Sequence, residues 1–267
     1  MYKYKIGQLA KTMGVSTHLL KHYEKYQIVN PVIDDNTNYR YYELNQCSKI
    51  IESKKYRNIG FSIKDTATLM NNSDNKNYNI VLKNHCDTLD MEIKKLLLNK
   101  ELTMKIYNSS VIADKYLNQW FIEMHPSLYV LKQSNNKEII YGNTASMNSH
   151  NLTDMIPLCN SLILFPLDFI DSYPPKYNWC LSIEENIAQE YNLQLNNLIK
   201  IPESKAFTVY LRVAAPYTEN RVLIDSALKI FRGYSFTPTK DIFAISIKTT
   251  HEEGQEFHYF KVYIPIE

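Results

Sequence analysis

The sequence predicts an α+β protein in three parts. Residues 1–75 read as a winged helix-turn-helix, residues 76–115 as a linker and a long coiled-coil dimerisation helix, and residues 116–267 as an α+β domain of two similar halves. Three observations predict this. Two short apolar stripes flank Gly14, a seven-residue apolar repeat runs from Leu82 to Tyr107 with no Pro or Gly, and strand–helix–strand patterning occurs twice after Tyr116.

Ile6, Leu9, Ala10 and Met13 form one stripe at helical spacing, with Ala10 small enough to let a second helix approach and Gly14 free to turn sharply. Ser16 suits the N-cap of that second helix. Leu19, Leu20 and Tyr23 give its inner flank; Thr17, His18, Lys21, His22 and Lys25 lie off it, with donors and charge for an acidic groove. This division is that of a bracing helix and a recognition helix in the major groove.

Val32-Ile33 and Tyr39-Arg40-Tyr41-Tyr42 enclose the turn-forming run Asp34-Asp35-Asn36-Thr37-Asn38, predicting a β-hairpin wing. Alternation places Arg40 and Tyr42 on one face, Tyr39 and Tyr41 on the other, and the Arg40 guanidinium suits phosphate. A third helix is expected over Leu44–Tyr56. Ser62-Ile63-Lys64-Asp65 reads as a capping box opening a fourth. The polar run Asn71–Asn79 reads as a linker. Ile80–Val111 reads as one long helix whose seam (Leu82, Cys86, Leu89, Ile93, Leu96, Lys100, Thr103, Tyr107) calls for a partner helix, although burial within the chain is the alternative.

Beyond Tyr116, strands are expected at Phe121–Met124, Leu128–Leu131, Ile139–Tyr141, Tyr177–Ile183, Leu198–Pro202, Ala206–Val213, Asp241–Lys248 and Phe257–Ile266. Helices are expected at Leu152–Phe165 and Asn220–Arg232.

The 267 residues are 45% hydrophobic and 22% charged, ordinary globular composition. No apolar run spans a bilayer and no signal-peptide pattern opens the chain, so a cytoplasmic protein without membrane partners is expected. Residues 1–75 hold 11 Lys and Arg against 7 Asp and Glu, a surplus of four; the rest carries a deficit of two, for +2 overall. The basic excess thus sits with the helix-turn-helix, as phosphate neutralisation requires. Cys47, Cys86, Cys159 and Cys180 form no C-x-x-C pair, which speaks against a disulfide framework or closed zinc site. Gly-rich phosphate loops, H-E-x-x-H and G-x-S-x-G are absent, and Glu184-Glu185 should point to different sides. No cofactor, metal or catalytic residue is expected.

Ile6-Gly7-Gln8-Leu9-Ala10, Gly14-Val15-Ser16, Leu20-Lys21-His22-Tyr23-Glu24, Asn38-Tyr39-Arg40-Tyr41-Tyr42 and Ile59-Gly60-Phe61-Ser62, in this order, resemble the N-terminal domain of MerR-family transcription regulators. The family usually has Arg-Tyr-Tyr at Lys21-His22-Tyr23, and Gly at Gln27 and often at Asn38. The resemblance implies a homodimer on double-stranded promoter DNA, a pseudo-palindromic site, and activation by twisting the promoter spacer for RNA polymerase. It also implies DNA contacts from Thr17, His18, Lys21, His22, Tyr23, Tyr39, Arg40 and Tyr41. His85-Cys86 lies where metal-sensing members carry a cysteine, but the matching loop cysteines are missing.

Ile201-Pro202-Glu203-Ser204-Lys205, Ala215-Pro216-Tyr217 and Phe260–Ile266 make the second half similar to the gyrase-inhibitor-like effector domain of MerR-type multidrug sensors. That implies a cleft for a small-molecule effector of unknown identity, with Tyr141, Tyr177, Trp179, Tyr210, Tyr217 and Lys261 as candidate lining. Drug-sensing members hold lipophilic cations with carboxylates that align here with Ala244 and Lys261. Some stand-alone relatives are hydrolases, which leaves a small-molecule hydrolase as the alternative, together with a ligand-independent or metal-responsive regulator.

Overall fold

The computed structural model describes residues 4–34, 37–72, 74–141, 146–147, 150–193, 195, 198–217 and 221–267. The chain divides into two compact units, Met1–Leu96 and Leu97–Glu267.

The first unit runs β1 (Tyr4–Lys5), α1 (Ile6–Met13), α2 (Thr17–Lys25), β2 (Val32–Ile33), β3 (Arg40–Tyr42), α3 (Asn45–Asn58), α4 (Ile63–Asn72) and the start of α5 (Asn75–Lys115). Local chemistry sets these bounds. Gly14 sits at φ +59° and ends α1, its N–H directed at the Ala10 and Lys11 carbonyls. The Ser16 hydroxyl accepts from the Leu19 N–H at 3.0 Å and opens α2. The strands form one small sheet, β1-β3-β2. Leu9, Ala10, Leu20, Tyr23, Ile28, Val29, Tyr42, Ile50 and Ala67 make one buried cluster beneath the helices. The wing turn closes with the Asn38 N–H donating to the Asp34 carbonyl at 2.8 Å; Asp35 and Asn36 lie outside the described residues. At the fourth helix, Ser62 Oγ accepts from the Asp65 N–H at 3.1 Å and donates to Asp65 Oδ2 at 2.5 Å, so the shorter acid closes on the hydroxyl of the capping residue.

Gln27 and Asn38 both adopt positive φ, +57° and +54°. These are the two positions where the resemblance drawn above leads one to expect Gly. Both side chains carry a Cβ that crowds the carbonyl there, but the short Asn amide can hydrogen-bond the local backbone and so tolerates this region better than Gln. Gln27→Gly is therefore expected to stabilise the head by about 0.5–1 kcal/mol, since strain relief outweighs the added chain entropy; a lowered melting temperature would refute this.

The expected linker at Asn71–Asn79 is a correction. α4 continues to Asn72 and α5 begins at Asn75; Ser73 lies outside the described residues. Asp74 acts as the cap, its Oδ1 accepting from the Asn77 N–H at 2.7 Å. Tyr78, Val81 and Leu82 then pack on Tyr56, Phe61 and Leu69, which binds the start of α5 to the head. Further along the helix, Leu89, Ile93, Leu96 and Tyr107 are exposed within the chain, which does not match burial of the seam by the chain itself.

The second unit contains the end of α5 and β4 (Trp120–His125), β5 (Leu128–Lys132), β6 (Ser134–Asn135), β7 (Glu138–Ile139), β8 (Ser146–Met147), β9 (His150–Asn151), β10 (Asn160–Phe165), β11 (Asn178–Glu184), α6 (Glu185–Glu190), β12 (Ile199–Ile201), β13 (Ser204–Ala214), α7 (Val222–Phe231), β14 (Ile242–Glu252) and β15 (Gln255–Pro265). Eight strands form an antiparallel sheet in the order β12-β5-β11-β10-β14-β15-β13-β4. That order is its own mirror when β4, β5, β10 and β11 are exchanged for β12, β13, β14 and β15. Each half lends its first strand to the edge of the other. The expectation of two similar halves therefore holds for the strands.

It fails for the helices. α7 covers one sheet face with Leu223, Ile224, Ala227, Leu228 and Phe231, against Phe207, Val209, Ile242, Ala244, Phe260 and Val262. At the matching place in the first half, the predicted helix Leu152–Phe165 is a one-turn 3₁₀ helix (Leu152–Met155) followed by β10. Pro157 cannot donate within a helix, and Leu162–Phe165 is short and apolar enough to lie at the sheet centre, paired on both sides.

Candidate nucleic-acid interface and internal cavity

α2 presents Thr17, His18 and Lys21 exposed on one side, with His22 half-buried beside Tyr26, their rings 5.5 Å apart. The turn before α2 is buttressed from α3, where Lys54 Nζ donates to the Met13 and Gly14 carbonyls at 3.1 and 3.4 Å. A cation there also meets the negative end of α1.

The wing is fastened to α2 by one residue. Arg40 Nε donates to Glu24 Oε2 at 3.0 Å, and the Tyr42 hydroxyl donates to Glu24 Oε1. Arg40 and Tyr42 share a face of β3, as alternation requires, and Glu24 bridges both. Burial and that bond push the Tyr42 phenol far above its usual range, so it stays a donor. Glu24 is largely covered while the Arg40 side chain is 45% exposed. The guanidinium is thus held through Nε with its outer edge toward solvent. Tyr39 is exposed at the wing base with the Lys5 ammonium 5.5 Å above its ring, and Tyr41 pairs in register with Lys5 and Val32. Tyr23 is a correction: it is 1% exposed within the head core, so its hydroxyl is not available to a phosphate. Its i, i+3 relation to Leu20 turns it inward.

In the second unit, a cavity of about 470 Å³ lies on the sheet face opposite α7. Tyr210, Lys261, Tyr263 and Ile245 provide its floor; Leu102, Ile106 and Ile112 of α5 line it from above. Lys105 and Glu184, 3.7 Å apart, stand at its side. β15 is interior to the sheet, so Lys261 cannot escape along an edge, and it is 23% exposed. Its Nζ lies 2.9 Å from Glu123 Oε1.

Residues 4–73 match the family described as MerR HTH family regulatory protein. A probable heavy metal-dependent transcriptional regulator of Haemophilus influenzae is 28% identical over 96 residues, 34% of this chain and 75% of that protein. The heavy metal-dependent transcription regulator 2 of Rhizobium meliloti is 29% identical over 65 residues, 24% of this chain and 44% of that protein. Among solved structures, the cryo-EM structure of an EcmrR–DNA complex in EcmrR-RPo is 18% identical, with a TM-score of 0.37 over 99% of each chain.

Residues 4–73 are thus similar to the DNA-binding head of MerR-type regulators.

Of the expected cavity residues, the fold brings Tyr210 and Lys261 together. Trp179 pairs with Ile163 of the α7-side core and so lies on the sheet face opposite the cavity, its Nε1 donating to Ser161 Oγ at 2.8 Å. Tyr141 is 93% exposed after β7, away from the sheet face. Tyr177 and Tyr217 belong to the α7-side core, Tyr217 against Phe260 at 5.0 Å. Ala244 likewise faces α7 and pairs with Val262, whereas Lys261 pairs with Ile245, so the two aligned positions lie on opposite faces. Sequence reasoning missed Tyr263, Glu123 and Lys105; alternation from Lys261 would have found Tyr263.

His85 brackets α5 to the α3–α4 corner, its Nε2 2.8 Å from the Ile59 carbonyl and its ring 4.0 Å from Phe61. His125 is buried, hydrogen-bonded to Ser204 Oγ at 2.7 Å, and burial lowers its pKa. Burial pushes the Cys159 thiol up to about 11 and Cys180 to about 12, which keeps both as thiols. Glu184 faces Lys105 while Glu185 faces Lys200 at 2.6 Å, so the two carboxylates do not act as a pair. Among the described residues, no group of three His, Cys, Asp or Glu is placed to share a metal ion, and no helix is long and apolar enough to cross a membrane.

Proposed function

We propose that the regulator is a one-component, non-enzymatic transcription switch. Two copies pair through α5 and set their heads, formed by residues 1–75, on a pseudo-palindromic promoter. Lys21, His18, Thr17 and His22 meet the major groove, while Arg40, Tyr39 and Tyr41 meet the backbone. A small molecule entering the cavity of residues 116–267 changes how the heads hold the duplex, and the altered promoter twist governs RNA polymerase. Deforming DNA costs of order a few kcal/mol, within reach of one ligand's differential affinity for two states.

The observation that supports this is the continuity of α5. The helix that is bracketed into the head at Tyr78 and His85 also lines the cavity at Leu102, Ile106 and Ile112. A ligand touching the second stretch acts on a rod whose other end is fixed to the DNA reader.

Thermal melting of the full chain with salicylate, benzamide and benzylamine tests the cavity. At least one is expected to raise the melting temperature and alter promoter affinity, and Ile106→Trp is expected to abolish both effects by filling the space. Compounds that stabilise Ile106→Trp equally would place binding elsewhere.

A further inference from the structure

The register around the cavity floor places four side chains on one sheet face. Glu123 of β4 pairs with Ala206 of β13; Tyr210 and Thr208 of β13 pair with Lys261 and Tyr263 of β15. Because Ala206, Thr208 and Tyr210 alternate to the same side, Glu123, Tyr210, Lys261 and Tyr263 all project there. The Lys261 ammonium lies 5.4 Å from the Tyr210 ring centre and 5.1 Å from that of Tyr263, with Glu123 Oε1 at 2.9 Å. Two aromatic faces and a carboxylate converging on one nitrogen are what an organic ammonium ion needs from a receptor.

We infer that Lys261 is the cavity's resident cation: it fills an ammonium-binding position built by Glu123, Tyr210 and Tyr263, and so closes the cavity to free organic cations. This deepens the effector reading proposed above and rests on it for the ligand's class. Lys261, Tyr210 and Tyr263 line the cavity while Glu123 does not, so the ammonium, not the carboxylate, meets an entering molecule. Lys105 adds a second donor at the side. The ligand that fits is an apolar body with an anionic or carbonyl head. Burial alone would lower the lysine's pKa, but the Tyr263 phenol and the Glu123 carboxylate outweigh it and keep the ammonium charged.

Chemical rescue tests this on the full chain. Lys261→Ala removes what n-propylammonium supplies. That ion is expected to raise the melting temperature of Lys261→Ala by about 3 °C at roughly ten times its Kd. Wild type and Lys261→Ala/Glu123→Gln should not move, nor should Lys261→Ala with propionate. An equal shift in wild type, or none in Lys261→Ala, overturns the assignment. Should Lys261→Ala not fold, Lys261→Met/Glu123→Gln is expected to melt above Lys261→Met, because the double variant leaves no uncompensated carboxylate; melting at or below it overturns the assignment. Rescue needs no effector. Rescue without any compound altering DNA binding sinks the effector reading alone; an effector without rescue sinks this one alone.

Discussion

Arg40→Ala is expected to weaken binding to every duplex alike, by about tenfold at low salt, and to reduce the slope of log affinity against log salt by about one. A charge-assisted contact to phosphate contributes roughly 1.5 kcal/mol, which is that tenfold. The effect should be independent of sequence, because a hairpin guanidinium touches backbone and not base edges. Glu24 sharpens the test. Glu24→Ala removes a negative charge near DNA, so long-range electrostatics alone would tighten binding. In the structure, however, Glu24 holds Arg40 Nε and the Tyr42 hydroxyl at once. Glu24→Ala should therefore weaken binding despite making the head more basic. Salt titrations by fluorescence anisotropy read both variants. An unchanged slope in Arg40→Ala would remove the wing from the interface, and tighter binding by Glu24→Ala would reduce Glu24 to a mere charge.

The head was legible because its instructions are local. Gly14, Ser16 and the Ser62–Asp65 box each act within three or four residues, and each was found where the sequence places it. The Glu24 lock was not, since it joins residues sixteen and eighteen apart whose meeting depends on how the wing returns. Asparagine-rich composition suggested a linker at Asn71–Asn79, yet a single capping aspartate, Asp74, sufficed to start α5 within it. In the second unit, strands announced themselves by alternation. The cavity did not, because residue type says nothing of face: Tyr177 and Tyr210 look alike in sequence, but one packs toward α7 and the other lines the cavity. Register decides between them, and register depends on pairing across the whole sheet.

Placing aspartate at both Ile93 and Leu96 is expected to break the dimer proposed above into monomers. Both are seam positions of α5 and stand 53% and 66% exposed within the chain. Apolar side chains repeated every three and four residues along a helix are stable in water only when a partner covers them. Burying one such side chain contributes about 1.5–3 kcal/mol, and a dimer buries each twice. Replacing both with charge should raise the dimer dissociation constant by at least about a thousandfold, on the order of 4 kcal/mol. Lys95→Asp alters charge on the outer face of the same turn and should leave the dimer intact. Sedimentation equilibrium separates the two variants. Promoter affinity should fall with dimerisation in the double variant, because a lone head meets only half of a two-fold site. A double variant that stays dimeric would move the contact off α5. A wild-type chain that sediments as a monomer would remove the paired rod on which the proposed switch depends.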